Sequence, residues 1–585
     1  MRLQTVFLGH AAEEDGMRLA TMVIRIVLGL TFLVAFVGAS PGNSVASSAM
    51  KVWTTSDTVK VLETAGPQVL LPANLYGARN EYVSFQVIVN AVGGPLTGVT
   101  PTMSRITGVH GSISSTNVHM YREAYQHVVN VSDQAGRTGY WPDGLVPIGR
   151  DSIVGQVRNG APFSVAANNN NGIWVDIHVP MHQPAGTYSG HIAIASQGQA
   201  TVSVPFAVNV WNFAIPSQST LATAFGFDTW GAYQGTFGSQ WNTQKIENLT
   251  NRYSEAALQM RISMYGIDVA PVGYTYNSNT RKVSALDWSL WNSTEAPAND
   301  GALDPSHRHF TAAALPLPNN LSDLQHKYAA EDVAFWRAVA RYYQKRKWFS
   351  RSYLYYDDEP SSSSDFALAK LHAQLLHEAN RHFRYILTTH YRKDLVGSVN
   401  IWVPIINELD SPGYPPPSVY TQRQKAGDKV WWYDSDSSAD NGQWPDMFID
   451  HPAMNQRVMG WMTWKYGLNG FLYYSTVESY GVNRNPWKDV YAFGTNGDGT
   501  LFYPGKPSII GGKTNIPCFS IRLMLIRQSL QDYEYMHLLK LHGHGALANQ
   551  AVDAVVKSSD DFTKDPAVML KERIVMGTEL SKLHA

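Results

Sequence analysis

The sequence predicts a multidomain protein with an N-terminal antiparallel β-sandwich followed by a (β/α)8 TIM-type barrel. Its 585 residues are 44% hydrophobic and 12% aromatic, which is ample for more than one buried core. Before Pro216, apolar residues recur with the period of two that is typical of β-strands. After Pro216, strand-like and helix-like segments alternate, as they do in α/β domains.

Three runs of alternating apolar residues predict the sandwich, which we place at residues 51–215. A turn at residues 183–186, Gln-Pro-Ala-Gly, leads into a further strand-like stretch at 187–195. Several short strands linked by turns are typical of antiparallel sandwiches. The three runs are Val83, Phe85, Val87 and Val89; Ile173, Val175, Ile177 and Val179; and Val202, Val204, Phe206, Val208 and Val210.

Strand-like segments separated by helical stretches follow Pro216 and predict the barrel at residues 216–545, with a helical tail at 546–585. About eight strand–helix units over some 300 residues are what such a barrel requires. A doubly wound sheet is the alternative, but no GxGxxG or GxxxxGK[ST] motif follows a predicted strand. A loop rich in Pro, Asn and Ser occupies residues 277–320. The predicted strands are 221–227, 262–267, 353–356, 385–389, 400–405, 429–433 and 470–475, and the clearest helices are 242–259, 330–347 and 521–539.

The N-terminal region predicts export. Arg18 and Arg25 precede an apolar run at residues 26–39 that ends in the small residues Val37-Gly38-Ala39, as in a signal peptide. We therefore assign residues 1–40 to a signal peptide region and expect a secreted, periplasmic or cell-surface protein. An uncleaved membrane anchor is the alternative, although the run is short for a span of about 20 residues. We expect no stable membrane insertion of the mature chain.

Composition narrows the class of partner. A formal net charge of -1 provides no basic field for nucleic acid, so a neutral substrate is favoured. The chain has 17 Trp and 30 Tyr, whose flat rings suit the apolar faces of sugars as well as protein cores. Cys518 is the only cysteine, which excludes an intramolecular disulfide and a CxxC metal site. Asp498 lies in a turn that resembles a calcium-loop fragment, but no EF-hand spacing follows, so we predict no metal and no cofactor.

The segment YLYYDDEP, residues 353–360, is the first candidate for chemistry because three carboxylates follow an aromatic, β-prone run. Like charges at the end of a buried strand are costly unless they have a task. The alternative is an acidic loop or a helix N-terminus. If the segment is a barrel strand, its carboxylates lie at the mouth, where strand ends converge.

Other residues at predicted strand ends extend this mouth. Aromatic rings and carboxylates at one mouth indicate a glycoside site, with rings to hold a pyranose and acids to cleave its bond. His390 has an alternative role as an ordinary hydrogen-bonding residue, and Trp402 as barrel packing. The substrate-binding candidates are Asp228, Trp230, His390, Trp402, Trp432, Tyr433, Tyr474 and, in a later loop, Tyr503.

Several segments resemble a known family. The stretch NGDGTLFYPG at 496–505 and the helix segment IRQSLQDYEY at 526–535 resemble the C-terminal signature of domain of unknown function 4091. That domain is similar to the catalytic region of glycoside hydrolase family 123, and Asp358-Glu359-Pro360 matches the acidic pair of that family. GARNEYVSFQVIV at 77–89 and PAGTYSG at 184–190 resemble the sandwich that precedes such barrels.

The resemblance implies a retaining β-N-acetylgalactosaminidase that uses the 2-acetamido group of its substrate as the nucleophile. Asp358 would orient the acetamido nitrogen, and Glu359 would be the general acid and base. Substrate-assisted enzymes are exempt from the separation of about 5–5.5 Å that a direct carboxylate nucleophile requires, so neighbouring acids suit them. Close carboxylates also resist double ionisation, so we expect the pair to titrate together.

Strict alternation conflicts with the motif. It would place Tyr353, Tyr355 and Asp357 on one face of the strand and Asp358 on the other. We assign Asp358 to the site from the motif and expect Asp357 to support it.

Two other classes of function stay open. One is a noncatalytic carbohydrate-binding surface protein in which the acids are structural. The other is a glycosidase of different specificity with a direct nucleophile such as Asp228 or Glu478. The sugar, its linkage, endo or exo action and the oligomeric state do not follow from the sequence.

Overall fold

Two β-sheets form the N-terminal part of the protein. The computed structural model describes residues 48–321, 327–436, 441–481 and 485–584. The predicted signal peptide region therefore lies outside the described residues. The strands of this part are β1 (Ala49–Ser56), β2 (Ala73–Arg79), β3 (Tyr82–Val92), β4 (Leu96–Met103), β5 (Ile106–Gly108), β6 (Gly111–Ile113), β7 (Val118–Val128), β8 (Gly139–Arg150), β9 (Val157–Asn159), β10 (Phe163–Val165), β11 (Asn170–His178), β12 (Gly186–Ala195) and β13 (Val202–Ala214).

One sheet has the strand order β1-β3-β11-β7-β8-β9, and the other has the order β10-β4-β12-β13-β2 with β5 and β6 at its side. All neighbours in the first sheet are antiparallel, whereas β13 and β2 run parallel in the second. The predicted inward residues share one core, in which the rings of Phe85 and Phe206 lie 5.4 Å apart. The period of two therefore located the sandwich core correctly.

The second part of the chain contains parallel strands, two-stranded hairpins and helices. Its strands are β14 (Ala222–Gly226), β15 (Met264–Tyr265), β16 (Gly273–Asn277), β17 (Lys282–Asp287), β18 (Ala313–Ala314), β19 (Ser352–Tyr353), β20 (Ile386–Leu387), β21 (Ile401–Trp402), β22 (Lys429–Asp434), β23 (Gly470–Tyr473), β24 (Tyr491–Ala492), β25 (Thr495–Asn496), β26 (Phe502–Gly505) and β27 (Ile516–Phe519). Its helices are α1 (Thr229–Phe237), α2 (Thr243–Gln259), α3 (Ser289–Asn299), α4 (Ala329–Lys345), α5 (Ser363–Ala379), α6 (Pro417–Lys425), α7 (Met454–Arg457), α8 (Met459–Lys465), α9 (Glu478–Gly481), α10 (Pro507–Ile510), α11 (Ile521–Leu541), α12 (Gly545–Val555) and α13 (Pro566–Leu583).

Parallel strands form the centre of this second part. Six of them pair in the order β15-β14-β23-β22-β21-β20. A parallel bridge between Leu354 and Tyr385 joins β20 to β19, and β19 pairs with β18. In the described residues no backbone pairing links β18 to β15, but the Thr311 N–H, just before β18, donates to Ser263 Oγ over 2.7 Å. Side chains thus join the two ends of the strand series.

At least one residue from each of these parallel strands contributes to a single apolar cluster, which we call the enclosed cluster. The opposite faces of the strands pack against the helices. Side chains on these faces, such as those of Leu354 and Trp432, share a large apolar cluster with helix residues, which we call the outer core. The cluster includes Ala224, Tyr265, Ala314, Tyr353, Ile386, Ile401, Trp431 and Leu472.

The prediction of a loop at residues 277–320 was wrong, because this range contains regular secondary structure. The range contains strand β17, helix α3 and the two-residue strand β18, which is the third strand of the parallel series. A strand of two residues has no periodicity that the sequence could reveal. The predicted helices at 242–259, 330–347 and 521–539 correspond to α2, α4 and α11.

Helix α11 lies between the sandwich and the parallel strands, and it carries buried arginines. The Arg522 guanidinium contacts both carboxylate oxygens of Asp143, at 2.8 and 2.7 Å, and Arg527 pairs with Asp176 at 2.5 Å. Both acids belong to sandwich strands, Asp143 to β8 and Asp176 to β11, so the arginines pair across this boundary. Within the described ranges, no helix has the length and apolar character needed to cross a membrane.

Candidate active site

The acidic segment begins where β19 has already ended. Leu354 makes its bridge to Tyr385, and the chain then leaves the strand conformation. Asp357 points towards helix α5, where its Oδ2 lies within hydrogen-bond distance of His372 Nδ1, at 2.7 Å. The same oxygen accepts a hydrogen bond from the hydroxyl of Tyr385. Strict alternation would have placed Asp357 inside with Tyr353. The alternation does not hold here because the strand ends at residue 354.

Asp358 is held by two hydroxyl groups. Tyr355 Oη and Thr388 Oγ1 both donate to its Oδ1, over 2.6 and 2.7 Å. The same Thr388 hydroxyl accepts the backbone N–H of Glu359 at 2.8 Å. A residue that follows β20 therefore positions both acids, while the Asp358 side chain remains exposed.

Glu359 has a φ of 44°, which is uncommon for a residue other than glycine. Its Oε1 accepts a hydrogen bond from Tyr433 Oη over 2.5 Å. Partial burial raises the pKa of Glu359, the Tyr433 bond opposes this, and the charge of Asp358 adds to the increase. A raised pKa shifts the carboxyl group towards the protonated form that a general acid needs.

Strands β22 and β23, the seventh and eighth parallel strands in chain order, provide further groups at this end of the series. Tyr433 lies on β22 with its ring in the enclosed cluster, and it is 7% exposed. The charge of Asp436, which follows β22, raises the pKa of Glu359 as a smaller effect after burial. Tyr474 follows β23, is half-buried, and donates to Asp498 Oδ2 over 3.1 Å.

Asp498 is a buried acid that sequence reasoning missed as a site residue. Tyr473 Oη also donates to it, over 2.5 Å. Burial raises its pKa to about 6, against the effect of the Tyr473 bond, and the charge of Asp436 raises it further. The signal in the sequence was the turn at 496–499, but only the fold brings this turn to the end of β23.

His390 follows β20, and its Nδ1 lies 3.1 Å from Glu408 Oε2. Its ring also packs edge-to-face against Tyr414 at 5.5 Å, and Tyr414 is exposed. His390 and its neighbours Glu408 and Tyr414 thus lie at an accessible position at the same end of the parallel strands as Glu359. Both roles predicted for His390 are compatible with this position.

Asp228 and Trp230 begin the first helix after β14. The Asp228 carboxylate caps α1 by accepting the Gly231 N–H at 2.9 Å, and both residues are exposed. They lie at the same end of the strands as Glu359, and their contact with a substrate stays a prediction.

Three predicted substrate contacts are wrong. Trp402 and Trp432 are fully buried in the outer core, where their indole N–H groups donate to Asp428 and Thr463, both over 2.8 Å. Alternation explains Trp432, because its neighbours Trp431 and Tyr433 face the enclosed cluster and turn it outward.

Tyr503 is the third predicted substrate contact that is wrong. It lies in β26, is fully buried, and donates to Asp143 of the sandwich over 2.6 Å. Its ring packs in a cluster with sandwich residues such as Trp141, so it does not overhang the mouth.

Sequence reasoning also missed Tyr355, Thr388 and Tyr265 as site residues. Tyr355 shares the face of Tyr353 in the alternation, which was an available signal. Tyr265 Oη donates to the Tyr474 carbonyl oxygen over 3.2 Å, a contact between residues far apart in the sequence. In the described part of the chain, no group of three or more His, Cys, Asp or Glu side chains is arranged to hold a metal ion.

Comparison with known proteins bears on this site. Residues 289–539 match the family model of the glycoside hydrolase 123 catalytic domain, and this range includes Asp358 and Glu359. The chain is similar to glycoside hydrolase family 123. The match to its catalytic domain supports glycoside hydrolase activity.

Solved structures of glycoside hydrolases also match. A family 123 glycoside hydrolase from Clostridium perfringens, studied for glycolipid glycan hydrolysis, has a TM-score of 0.69 at 15% identity, with 92% of this chain and 99% of that chain covered. This likeness shows a shared fold.

Two other glycoside hydrolase structures match more weakly. A family 39 glycoside hydrolase from Bacteroides cellulosilyticus has a TM-score of 0.32 at 9% identity, with 74% of this chain and 80% of that chain covered. A GH5 xyloglucanase from Bacteroides ovatus has a TM-score of 0.27 at 8% identity, with coverage of 78% and 98%. No curated protein sequence matches the chain.

Proposed function

We propose that the protein is a retaining glycoside hydrolase of β-linked N-acetylhexosaminides, with N-acetylgalactosamine as the best candidate sugar. The observation that carries the proposal is the pair of adjacent acids at the end of β19. Asp358 is fixed by two hydroxyl groups, and Glu359 has a raised pKa. The family 123 enzyme of similar fold acts on glycolipid glycans, which supports a glycan substrate.

In the first step, the acetamido carbonyl oxygen attacks the anomeric carbon while the bond from this carbon to the glycosidic oxygen breaks. Glu359 donates its proton to the departing oxygen. Asp358, as a carboxylate, accepts a hydrogen bond from the acetamido N–H and stabilises the positive charge of the oxazolinium ring. An acid held in one geometry by Tyr355 and Thr388 loses little entropy in this task.

In the second step, the carboxylate of Glu359 takes a proton from a water molecule. The water oxygen bonds to the anomeric carbon, and the bond from that carbon to the acetamido oxygen breaks. Two inversions give net retention, and Glu359 returns to its protonated form.

We also propose that the eight parallel strands form a (β/α)8 barrel with the site at its C-terminal end. The single enclosed cluster, to which every one of these strands contributes, supports this interpretation. Export through the N-terminal region is a further proposal, which a signal-peptide fusion to a reporter enzyme tests.

A panel of 4-nitrophenyl glycosides tests the proposed reaction. We expect turnover of the β-N-acetylgalactosaminide and strong inhibition by an acetamido-derived thiazoline, which mimics the oxazolinium intermediate. Turnover without thiazoline inhibition would indicate a direct nucleophile such as Asp228 or Glu478. Binding of glycans without any turnover would indicate the noncatalytic alternative.

A further inference from the structure

Two exposed tryptophans lie side by side after β14. Trp230 and Trp241 are 37% and 52% exposed, and they are the exposed ones among 17 tryptophans, all of which lie within the described residues. Their ring centroids are 5.5 Å apart, and Trp230 also stacks on Tyr233 at 5.6 Å. Large apolar rings grouped on a surface are typical of a binding site.

One tryptophan is held by a hydrogen bond of its own, and Trp230 is held through the tyrosine on which it stacks. Trp241 Nε1 donates to Thr243 Oγ1 over 3.0 Å, and the hydroxyl of Tyr233 donates to the Gln240 carbonyl oxygen over 2.5 Å. The tryptophans are thus held before a ligand arrives, which lowers the entropy lost on binding.

The tryptophans line a cavity of about 210 Å³ together with the carboxylates of Asp228 and Asp268. No lysine or arginine is among its lining residues, all of which are described. Aromatic faces pack against the C–H face of a sugar ring, and carboxylates accept hydrogen bonds from its hydroxyl groups. The absence of a cation favours a neutral sugar over a sulfated one.

The position of the cavity separates it from the acid pair. Asp228 follows β14 and Asp268 follows β15, while Glu359 follows β19, with β18 lying between β15 and β19 in the strand series. All these strands are parallel, so the cavity and the acid pair lie at the same end of the series. A ligand that contacts both must extend from the end of β15 past β18 to the segment that follows β19, as an oligosaccharide can.

We infer that Trp230 and Trp241 form a subsite for a neutral sugar of the leaving oligosaccharide, remote from the N-acetylhexosamine that is cleaved. This inference rests on the proposed function, and it names neutral oligosaccharides as the substrate class. An aryl glycoside of one sugar does not reach the subsite.

The test compares Trp241→Ala with Tyr140→Ala, in the full chain. Tyr140 is a matched control because it is also exposed and stacked, on His127, but lies in the sandwich. The two substrates are a neutral tetrasaccharide that ends in β-N-acetylgalactosamine and the corresponding 4-nitrophenyl monosaccharide. We expect Trp241→Ala to lower kcat/KM for the tetrasaccharide at least tenfold more than for the monosaccharide, and Tyr140→Ala to leave their ratio unchanged.

Hydrolysis of both substrates by Trp241→Ala with an unchanged ratio would overturn the subsite and leave the proposed function intact. If the wild type hydrolyses neither substrate, the proposed function fails, and binding of the tetrasaccharide by calorimetry then decides the subsite. Loss of binding in Trp241→Ala but not in Tyr140→Ala supports it. Equal binding by the two variants, or no binding by the wild type, contradicts it.

Discussion

The phenol of Tyr433 donates a hydrogen bond to Glu359 over 2.5 Å, and so connects the seventh parallel strand to the acid that follows the fourth. The two residues are 74 positions apart in the sequence. This bond favours the carboxylate form of Glu359, whereas burial and Asp358 favour the protonated form. The proton affinity of the proposed general acid is thus a balance between burial and the effects of its neighbours, of which Tyr433 and Asp358 can each be altered.

Replacement of the proposed acid tests its role directly. We expect Glu359→Gln to lower kcat on an aryl β-N-acetylgalactosaminide by about 10²- to 10⁴-fold, the usual contribution of general acid–base catalysis. Glu378→Gln, at an exposed position of α5, is the control and should leave kcat unchanged. Near-normal turnover by Glu359→Gln would sink the assignment.

The Tyr433 bond predicts a shift in pH dependence. Because the bond lowers the pKa of Glu359, Tyr433→Phe should raise that pKa. The enzyme needs the protonated form in its first step, so the alkaline limb of kcat/KM against pH should move to higher pH. Tyr342→Phe, on helix α4, is the control, and an unmoved limb in Tyr433→Phe would contradict the balance described above.

The two aspartates should differ in their effects. Asp358→Asn removes the acceptor for the acetamido N–H, and we expect a loss of kcat similar to that of Glu359→Gln, about 10²- to 10⁴-fold. It also removes a charge that raises the pKa of Glu359, so the alkaline limb should move to lower pH. Asp357→Asn should cost clearly less kcat and mainly lower the Tm, since its partners are His372 and Tyr385. Equal losses of kcat in both variants would refute this division.

The contact between Arg522 and Asp143 should stabilise the boundary between sandwich and parallel strands. Both side chains are fully buried, and Asp143→Ala would leave an unpaired buried guanidinium, at a cost of roughly 3–5 kcal/mol in the free energy of unfolding. The exposed pair of Arg337 and Glu378 is the matched control, and Glu378→Ala should cost less than about 1 kcal/mol. Denaturant unfolding measures both, and similar values would contradict the prediction.

His451 predicts a pH dependence of stability. Its Nδ1 and Nε2 contact Asp446 and Asp133 at 2.7 and 2.9 Å. Burial alone would lower its pKa, but these carboxylates outweigh burial and raise it from 6.5 to about 9. The contribution of the charged ring is therefore complete below pH 6.5 and is lost as pH rises through about 9.

Burial lowers the pKa of Lys60 to about 8, so its contribution to the free energy of unfolding changes with pH in the opposite sense. Lys60 is present in both proteins, so a comparison of wild type with His451→Gln separates the effect of the histidine from that of the lysine. We expect the difference in unfolding free energy between wild type and His451→Gln to be largest below pH 6.5 and to shrink towards pH 9. A difference that is constant over this range would show that the ring is not charged in the folded protein.

Local patterns predicted much of the fold. The alternation in residues 83–89 and 202–210 located the sandwich core, and long helices such as α2, α4 and α11 were predicted to within two residues. These elements carry their own periodicity, so no distant contact is needed to recognise them. The two-residue strand β18 was missed because its strand character comes only from pairing with β19.

The candidate site divides in the same way. Local sequence is enough to identify Asp358 and Glu359 as adjacent acids after a β-prone segment, since adjacency and composition are local. The direction of Asp357 towards the helices and the burial of Trp402 and Trp432 follow instead from packing between distant segments. The direction of each side chain depends on where a strand ends and which face its neighbours cover. The contact of Tyr433 with Glu359 likewise exists only because parallel pairing brings distant strand ends together.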